Sequence, residues 1–119
     1  MKPPLAGICV IEFEGLGPCP LTGLMLANMG ADVTVIARPG RGPVNERFRS
    51  EHDNPVRRGK TVLTLDLKQE AGVAAAMARI ACADVLIEGN RPGVMERLGL
   101  GPADCAARNP STRSRRLSL

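Results

Sequence analysis

The segment Ala83-Asp84-Val85-Leu86-Ile87-Glu88-Gly89-Asn90-Arg91-Pro92-Gly93-Val94-Met95-Glu96-Arg97-Leu98-Gly99-Leu100-Gly101 decides how the chain is read. Val85-Leu86-Ile87 is a short apolar run, the pattern of a buried strand. It breaks at Glu88-Gly89-Asn90, passes through Arg91-Pro92-Gly93, and resumes in Val94–Leu98 as one or two turns of helix. A strand that leaves through a carboxylate, a glycine, an arginine and a proline has the make-up of a binding edge. Open α/β sheets hold their ligands just beyond the carboxyl ends of the strands.

Working outward, the same grammar recurs. Gly7–Phe13 is apolar and rich in β-branched residues, and reads as a buried first strand ending at Glu14. Gly15-Leu16-Gly17-Pro18-Cys19-Pro20 is a Gly/Pro turn. Leu21–Met29 places Leu21, Leu24, Met25 and Met29 on one face at helical spacing, and Gly30 closes that helix. Asp32–Ala37 is the second strand, ended by Arg38-Pro39-Gly40. Strand, helix and strand within about 30 residues is the length of a βαβ unit, whose crossover is right-handed. Arg41–Lys60 is a long charged loop. Thr61–Leu65 is a third strand, and Asp66 caps the next helix with Gln69 as its capping-box partner. Val73, Met77 and Ile80 give that helix one apolar face, and Asp84–Ile87 is the fourth strand. A last short helix runs from Gly101 to Ala107. The expected fold is α/β: a Rossmann-like, mostly parallel sheet of about four strands with flanking helices. Residues 1–110 form the domain, and 111–119 (Ser-Thr-Arg-Ser-Arg-Arg-Leu-Ser-Leu) form a basic tail without periodicity.

Composition narrows the functions. The chain has 119 residues, room for one domain with a core. Phe13 and Phe48 are its only aromatic residues, which disfavours base stacking on aromatic platforms, and no nucleic-acid partner is expected. The formal net charge is +4, but Arg113, Arg115 and Arg116 of the tail supply most of it. Attraction for a polyanionic small molecule remains open. Cys9, Cys19, Cys82 and Cys105 show neither C-x-x-C nor metal-like spacing, and are read as reduced, mostly buried thiols of a cytoplasmic protein. No apolar run reaches membrane-spanning length, and the first residues lack a signal-peptide core.

Three constellations are candidates for chemistry. Gly15-x-Gly17 follows a strand and precedes a helix, like the start of a dinucleotide fingerprint, but Pro20 stands where the third glycine belongs. A plain tight turn, the edge of a coenzyme site and an NADP site all remain open there. Arg38, Lys68 and Arg91 each follow a strand, so a parallel sheet gathers them on one rim, as a phosphate-rich ligand requires. Three solvated surface charges would give the same pattern. His52, the only histidine, lies in a charged loop between Glu51 and Asp53 and reads as solvated. Arg115-Arg116-Leu117-Ser118 is similar to a basophilic kinase site, a match short enough to arise by chance.

The segments LAGICVIEFEGLGPCP, LANMGADVTVIARPG, RGKTVLTLDLK, ADVLIEGNRPGVMERLGLGP and ARNP occur in order from about Pro4 to Pro110. Together they resemble the N-terminal part of the family III CoA-transferases (CaiB/BaiF), and within them the α-methylacyl-CoA racemases; Arg38 favours the racemase branch. The resemblance implies a CoA-thioester enzyme on a Rossmann-like domain, usually an interlocked homodimer, with CoA or acyl-CoA as ligand. It needs no metal or organic cofactor, since coenzyme A is part of the substrate. Arg38, Leu65, Asp66, Leu67, Lys68, Ala83, Asp84, Val85 and Arg91 match positions that contact CoA in those racemases. The reaction removes the proton α to the thioester and returns one to either face, with a His and an Asp as the acid–base pair and enolate character at the thioester oxygen. In the family that pair comes after ARNP, where Ser111 onward matches nothing, as in a frame change or a truncated gene. His52 does not occupy the catalytic motif, so no catalytic residue is assigned, and the chain alone is expected to be inactive. The competing expectations are a stand-alone or remnant CoA-binding or interaction domain, and CoA transfer between acyl groups in the parent family.

Overall fold

The computed structural model describes residues 2–15, 17–39, 55–111 and the backbone of 113–116. Five strands form one sheet: β1 (Cys9–Phe13), β2 (Asp32–Ala37), β3 (Thr61–Thr64), β4 (Val85–Glu88) and β5 (Arg113–Arg116). Their order is β3-β2-β1-β4-β5, and all four pairings are parallel. Sheets of this kind are covered on both faces, which is why β1 and β2 read as near-continuous apolar runs. Helix α1 (Pro18–Asn28) packs on one face, where Val10, Val33 and Ile87 meet Cys19, Leu26 and Ala27. On the other face Ile11, Phe13, Ile36 and Leu86 meet α2 (Glu70–Ile80), α3 (Val94–Arg97) and α4 (Pro102–Arg108) through Ala76, Ile80, Met95 and Cys105.

A fifth strand joins the expected sheet of about four, within the tail that shows no periodicity in the sequence. Arg113–Arg116 pair in register with Val85–Glu88. The edge of β4 presents main-chain N–H and C=O groups that need partners, and an extended chain supplies them whatever its side chains are.

Helix α1 departs from its expected form twice. It begins at Pro18 rather than Leu21, because proline is favoured at the first helical position, and Gly17 turns the chain there at φ 76°. It buries Cys19 and Gly23, while Leu21 and Met25 stand 53% and 55% exposed. The bulky stripe lost to a stripe of small residues because the helix approaches the sheet very closely: a Cβ at Gly23 would lie 1.7 Å from Glu12 Oε1. The helix ends as read. The Gly30 and Ala31 N–H groups donate to the carbonyls of Ala27 and Leu26, a Schellman closure, with Gly30 at φ 101°.

Helix α2 is also shifted. Its N-cap is Gln69, not Asp66, and no side chain caps it. The Asp66 carboxylate instead accepts the Lys68 N–H at 3.0 Å, shaping the turn before the helix. The expected face holds: Ile80 is buried, and Val73 and Met77 pack against the same core. At its far end the Asn109 side chain reaches the carbonyls of Ile80, Ala81 and Ala83 at 2.9, 3.0 and 2.9 Å, tying α4 to the end of α2.

Candidate functional site

The strand order places a switch at β1: the chain leaves β1 for β2 on one side and later returns to β4 on the other. A cleft of about 450 Å³ opens at the carboxyl edge there. Phe13, Ile36, Leu67, Val94 and Leu98 make its apolar surfaces; Glu14, Arg38, Asp66, Lys68 and Asn90 bring its polar groups. Each wall segment begins where a strand ends. Glu14 follows β1, Arg38 and Pro39 follow β2, Asp66–Lys68 follow β3 and Asn90 follows β4.

Arg38 is anchored at two points. Its backbone N–H donates to Glu14 Oε1 at 3.3 Å and its Nη2 to Asn90 Oδ1 at 3.5 Å. Asn90 is held in turn, its N–H donating to Glu88 Oε2 at 2.8 Å and its Nδ2 to the Met95 sulfur at 3.3 Å. Glu14 Oε2 accepts from Arg57 Nη2 at 2.5 Å. Apolar walls carrying two cations suit a ligand with an apolar body and a phosphate group. Exposed Arg91 stands on the same edge, one residue beyond Asn90, and its carbonyl accepts the N–H of Val94 as α3 begins.

Under α1 lies a second polar group. Lys60 Nζ donates to Glu12 Oε1 at 2.7 Å and to the Pro20 carbonyl at 2.9 Å, with the two side chains 0% and 2% exposed. Burial holds the Glu12 carboxyl above its ordinary 4.5, against the opposing pull of Lys60. The Cys19 thiol is pushed up to about 12, first by burial and then by the negative charges of Glu12 and Glu88, so it is no thiolate nucleophile. The amino end of α1 is a poor pyrophosphate cradle as well. Pro18 and Pro20 remove two of the N–H groups that a helix start would offer, which weakens the dinucleotide reading of Gly15-x-Gly17.

Of the residues singled out from the sequence, Arg38, Asp66, Leu67 and Lys68 come together around the cleft; Arg91 follows β4 on the same edge but does not line the cleft. Leu65 packs into the core beneath. Ala83, Asp84 and Val85 are not brought to this rim. They stand at the amino end of β4, where Ala83 is buried and Asp84 Oδ2 accepts the Cys9 N–H at 2.8 Å. A residue that precedes a parallel strand lies on the edge opposite the ligand edge. Buried Cys19 and Cys105 fit the reading of apolar thiols, whereas Cys82 is exposed and Cys9 half-buried. His52 lies outside the described residues. Among the described residues, no three His, Cys, Asp or Glu side chains gather to hold a metal ion, and no helix is long and apolar enough to cross a membrane. Glu12, Glu14, Arg57 and Lys60 were not singled out as site residues. One signal pointed to them: a glutamate inside a buried apolar strand needs a partner.

A parallel α/β sheet with a cation-bearing cleft at its switch point is the frame of a coenzyme-binding domain. The chain belongs to CoA-transferase family III, whose sequence profile matches residues 5–112. It is 42% identical over 114 residues to the alpha-methylacyl-CoA racemase of Mus musculus, covering 96% of this chain and 28% of that protein. It is 36% identical over 121 residues to the probable fatty acyl-CoA transferase Rv3272 of Mycobacterium tuberculosis, covering 91% and 29%. A crystal structure of Rv3272 superposes with a TM-score of 0.89 at 36% identity, covering 98% of this chain and 33% of that one. A putative betaketoacyl-ACP reductase shares the fold, with a TM-score of 0.56 at 18% identity. The chain thus spans less than a third of the length of these family III relatives.

Proposed function

We propose that the carboxyl-edge cleft holds the coenzyme A moiety of an acyl-CoA, and that this chain is the N-terminal CoA-binding portion of an α-methylacyl-CoA racemase-like enzyme. The observation that supports this is the placement of Arg38 and Lys68 on one apolar-walled cleft, with Arg91 on the same edge. Arg38 can grip a phosphate through its planar fork, and Lys68 adds a point charge. Leu67, Val94 and Leu98 give an apolar arm a surface from which water is displaced. In this reading residues 1–110 carry the ligand, and the backbone of 113–116 pairs with β4.

The cleft orients the ligand but does not move its α-proton. Glu14 is engaged by Arg57 and Arg38, and Asp66 by its own turn, so neither carboxylate on the cleft is poised as an acid or base. We therefore expect binding without racemisation from this chain alone. A second reading, CoA transfer between acyl groups in the parent enzyme, draws on the transferases among the relatives, including the acetyl-CoA:oxalate CoA-transferase of Acetobacter aceti, 34% identical over 115 residues. Both readings share the same binding step.

Calorimetric titration of the chain with coenzyme A tests that step. Binding is expected, weakened about tenfold or more in Arg38→Ala and in Lys68→Ala, since a hydrogen bond to a charged group contributes about 1.5–3 kcal/mol. Affinities unchanged in both variants would sink the placement, and tighter binding of NADPH than of CoA would return the cleft to the dinucleotide reading. Deuterium appearing at the α-carbon of a 2-methylacyl-CoA in heavy water would overturn the expected inactivity.

A further inference from the structure

The carboxylate of Glu14 stands on the cleft that Arg38 and Lys68 make cationic. Left alone, it would repel an entering anion. It is not left alone. Oε2 accepts from Arg57, whose side chain is only 7% exposed, and Oε1 accepts the Arg38 backbone N–H. The Glu14 N–H donates to the Ile36 carbonyl at 2.9 Å, two residues before Arg38. Arg57 belongs to the 3₁₀ turn Pro55–Arg57, and its carbonyl accepts the Lys60 N–H at 3.1 Å just before β3. One carboxylate therefore ties together the exit of β1, the exit of β2 and the approach to β3, which lie 24 and 43 residues away along the chain.

We propose that Glu14 is the positioning residue of the cleft: its carboxylate fixes Arg38 for phosphate, while Arg57 cancels the charge that would otherwise oppose the ligand. The proposal rests on the coenzyme A reading above and adds to it a residue that acts through Arg38. It makes a prediction of sign. Simple Coulomb attraction says that removing a negative charge beside a polyanion site tightens binding. Positioning says the reverse, because Arg38 loses the group that sets its backbone.

The experiment uses the full chain with Glu14→Ala and Glu14→Gln, titrated with coenzyme A. Glu14→Ala is expected to bind about tenfold more weakly than the parent chain. Glu14→Gln, which keeps an oxygen to accept the Arg38 N–H, is expected to fall between them. Unchanged or tighter binding in Glu14→Ala overturns the proposal. Amide hydrogen exchange gives a readout that does not depend on the ligand. The Arg38 amide should exchange faster in Glu14→Ala, while Leu86 and Ile87 of β4 keep their protection. An unchanged Arg38 amide, or protection lost through β4 as well, refutes positioning. If the parent chain binds no coenzyme A, the functional reading fails, and the exchange data still decide the role of Glu14.

Discussion

Replacing Lys60 by methionine removes one half of an ion pair that water does not reach. The Glu12 carboxylate would keep its place under α1, 2% exposed, with no cation to face. Breaking a buried pair in this way costs about 3–5 kcal/mol, a large share of the roughly 5–15 kcal/mol that holds a domain folded. The loss depends on pH with a definite sign. Burial already raises the Glu12 carboxyl above 4.5, and without Lys60 it rises further. A carboxyl whose folded pKa is raised adds stability in full below its unfolded pKa and loses it as pH climbs through the folded value. The deficit of Lys60→Met should therefore grow by about 1.4 kcal/mol per pH unit between the folded Glu12 pKa of the parent chain and that of the variant. Urea unfolding followed by far-ultraviolet circular dichroism suits a chain without Trp or Tyr. Curves at about pH 5 and about pH 7 give the deficit directly. Glu12→Gln combined with Lys60→Met should recover most of it, since no charge is left buried. A deficit below about 1 kcal/mol, one equal at both pH values, or a double variant no better than the single one would refute the reasoning.

Gly23→Ala puts a methyl group where the Glu12 carboxylate lies, so α1 must lift or the ion pair must shift; overpacking of this kind costs about 1–3 kcal/mol, read from the same urea curves, and a neutral result would mean that α1 is not held so closely. Asn109→Ala removes the amide that reaches three carbonyls at the end of α2, and should lower stability by about 1–2 kcal/mol without changing coenzyme A affinity; an affinity loss would show that α4 reaches the cleft. Iodoacetamide under native conditions should label exposed Cys82 first and leave Cys19 unlabelled until the chain unfolds, because Cys19 is buried and its thiol sits at about 12; peptide mass mapping that found Cys19 labelled as fast as Cys82 would contradict its burial.

The strands were legible because a parallel sheet with both faces covered writes itself as short apolar runs, each ended by a charged or Gly/Pro break. The carboxyl edge of the sheet was legible for the same reason: Arg38, Lys68 and Arg91 all follow strands. The face of α1 was not, since size favoured Leu21, Met25 and Met29, whereas closeness to Glu12 selected Cys19 and Gly23. Periodicity reports what a helix could bury and says nothing of how near its neighbour comes. Arg57 and Lys60 read only as part of a long charged loop, because their partners Glu14 and Glu12 lie 43 and 48 residues away and no local pattern couples them. The offer of main-chain bonds along β4 is likewise invisible in the composition of Arg113–Arg116.

The cleft is assembled from Phe13 through Leu98, and β1 meets β4 only by joining residues 75 apart. None of its pairings is a hairpin, so no early local step can build a part of it that works. Chains rich in such distant pairings fold slowly, because the entropy of closing each loop is spent before the contacts it brings can form. The carboxyl edge needs β1, β2, β3 and β4 all in place. A nascent chain that has made β1, α1 and β2 still lacks the walls after β3 and β4. Capture of a ligand there would report that β1 to β4 have come together.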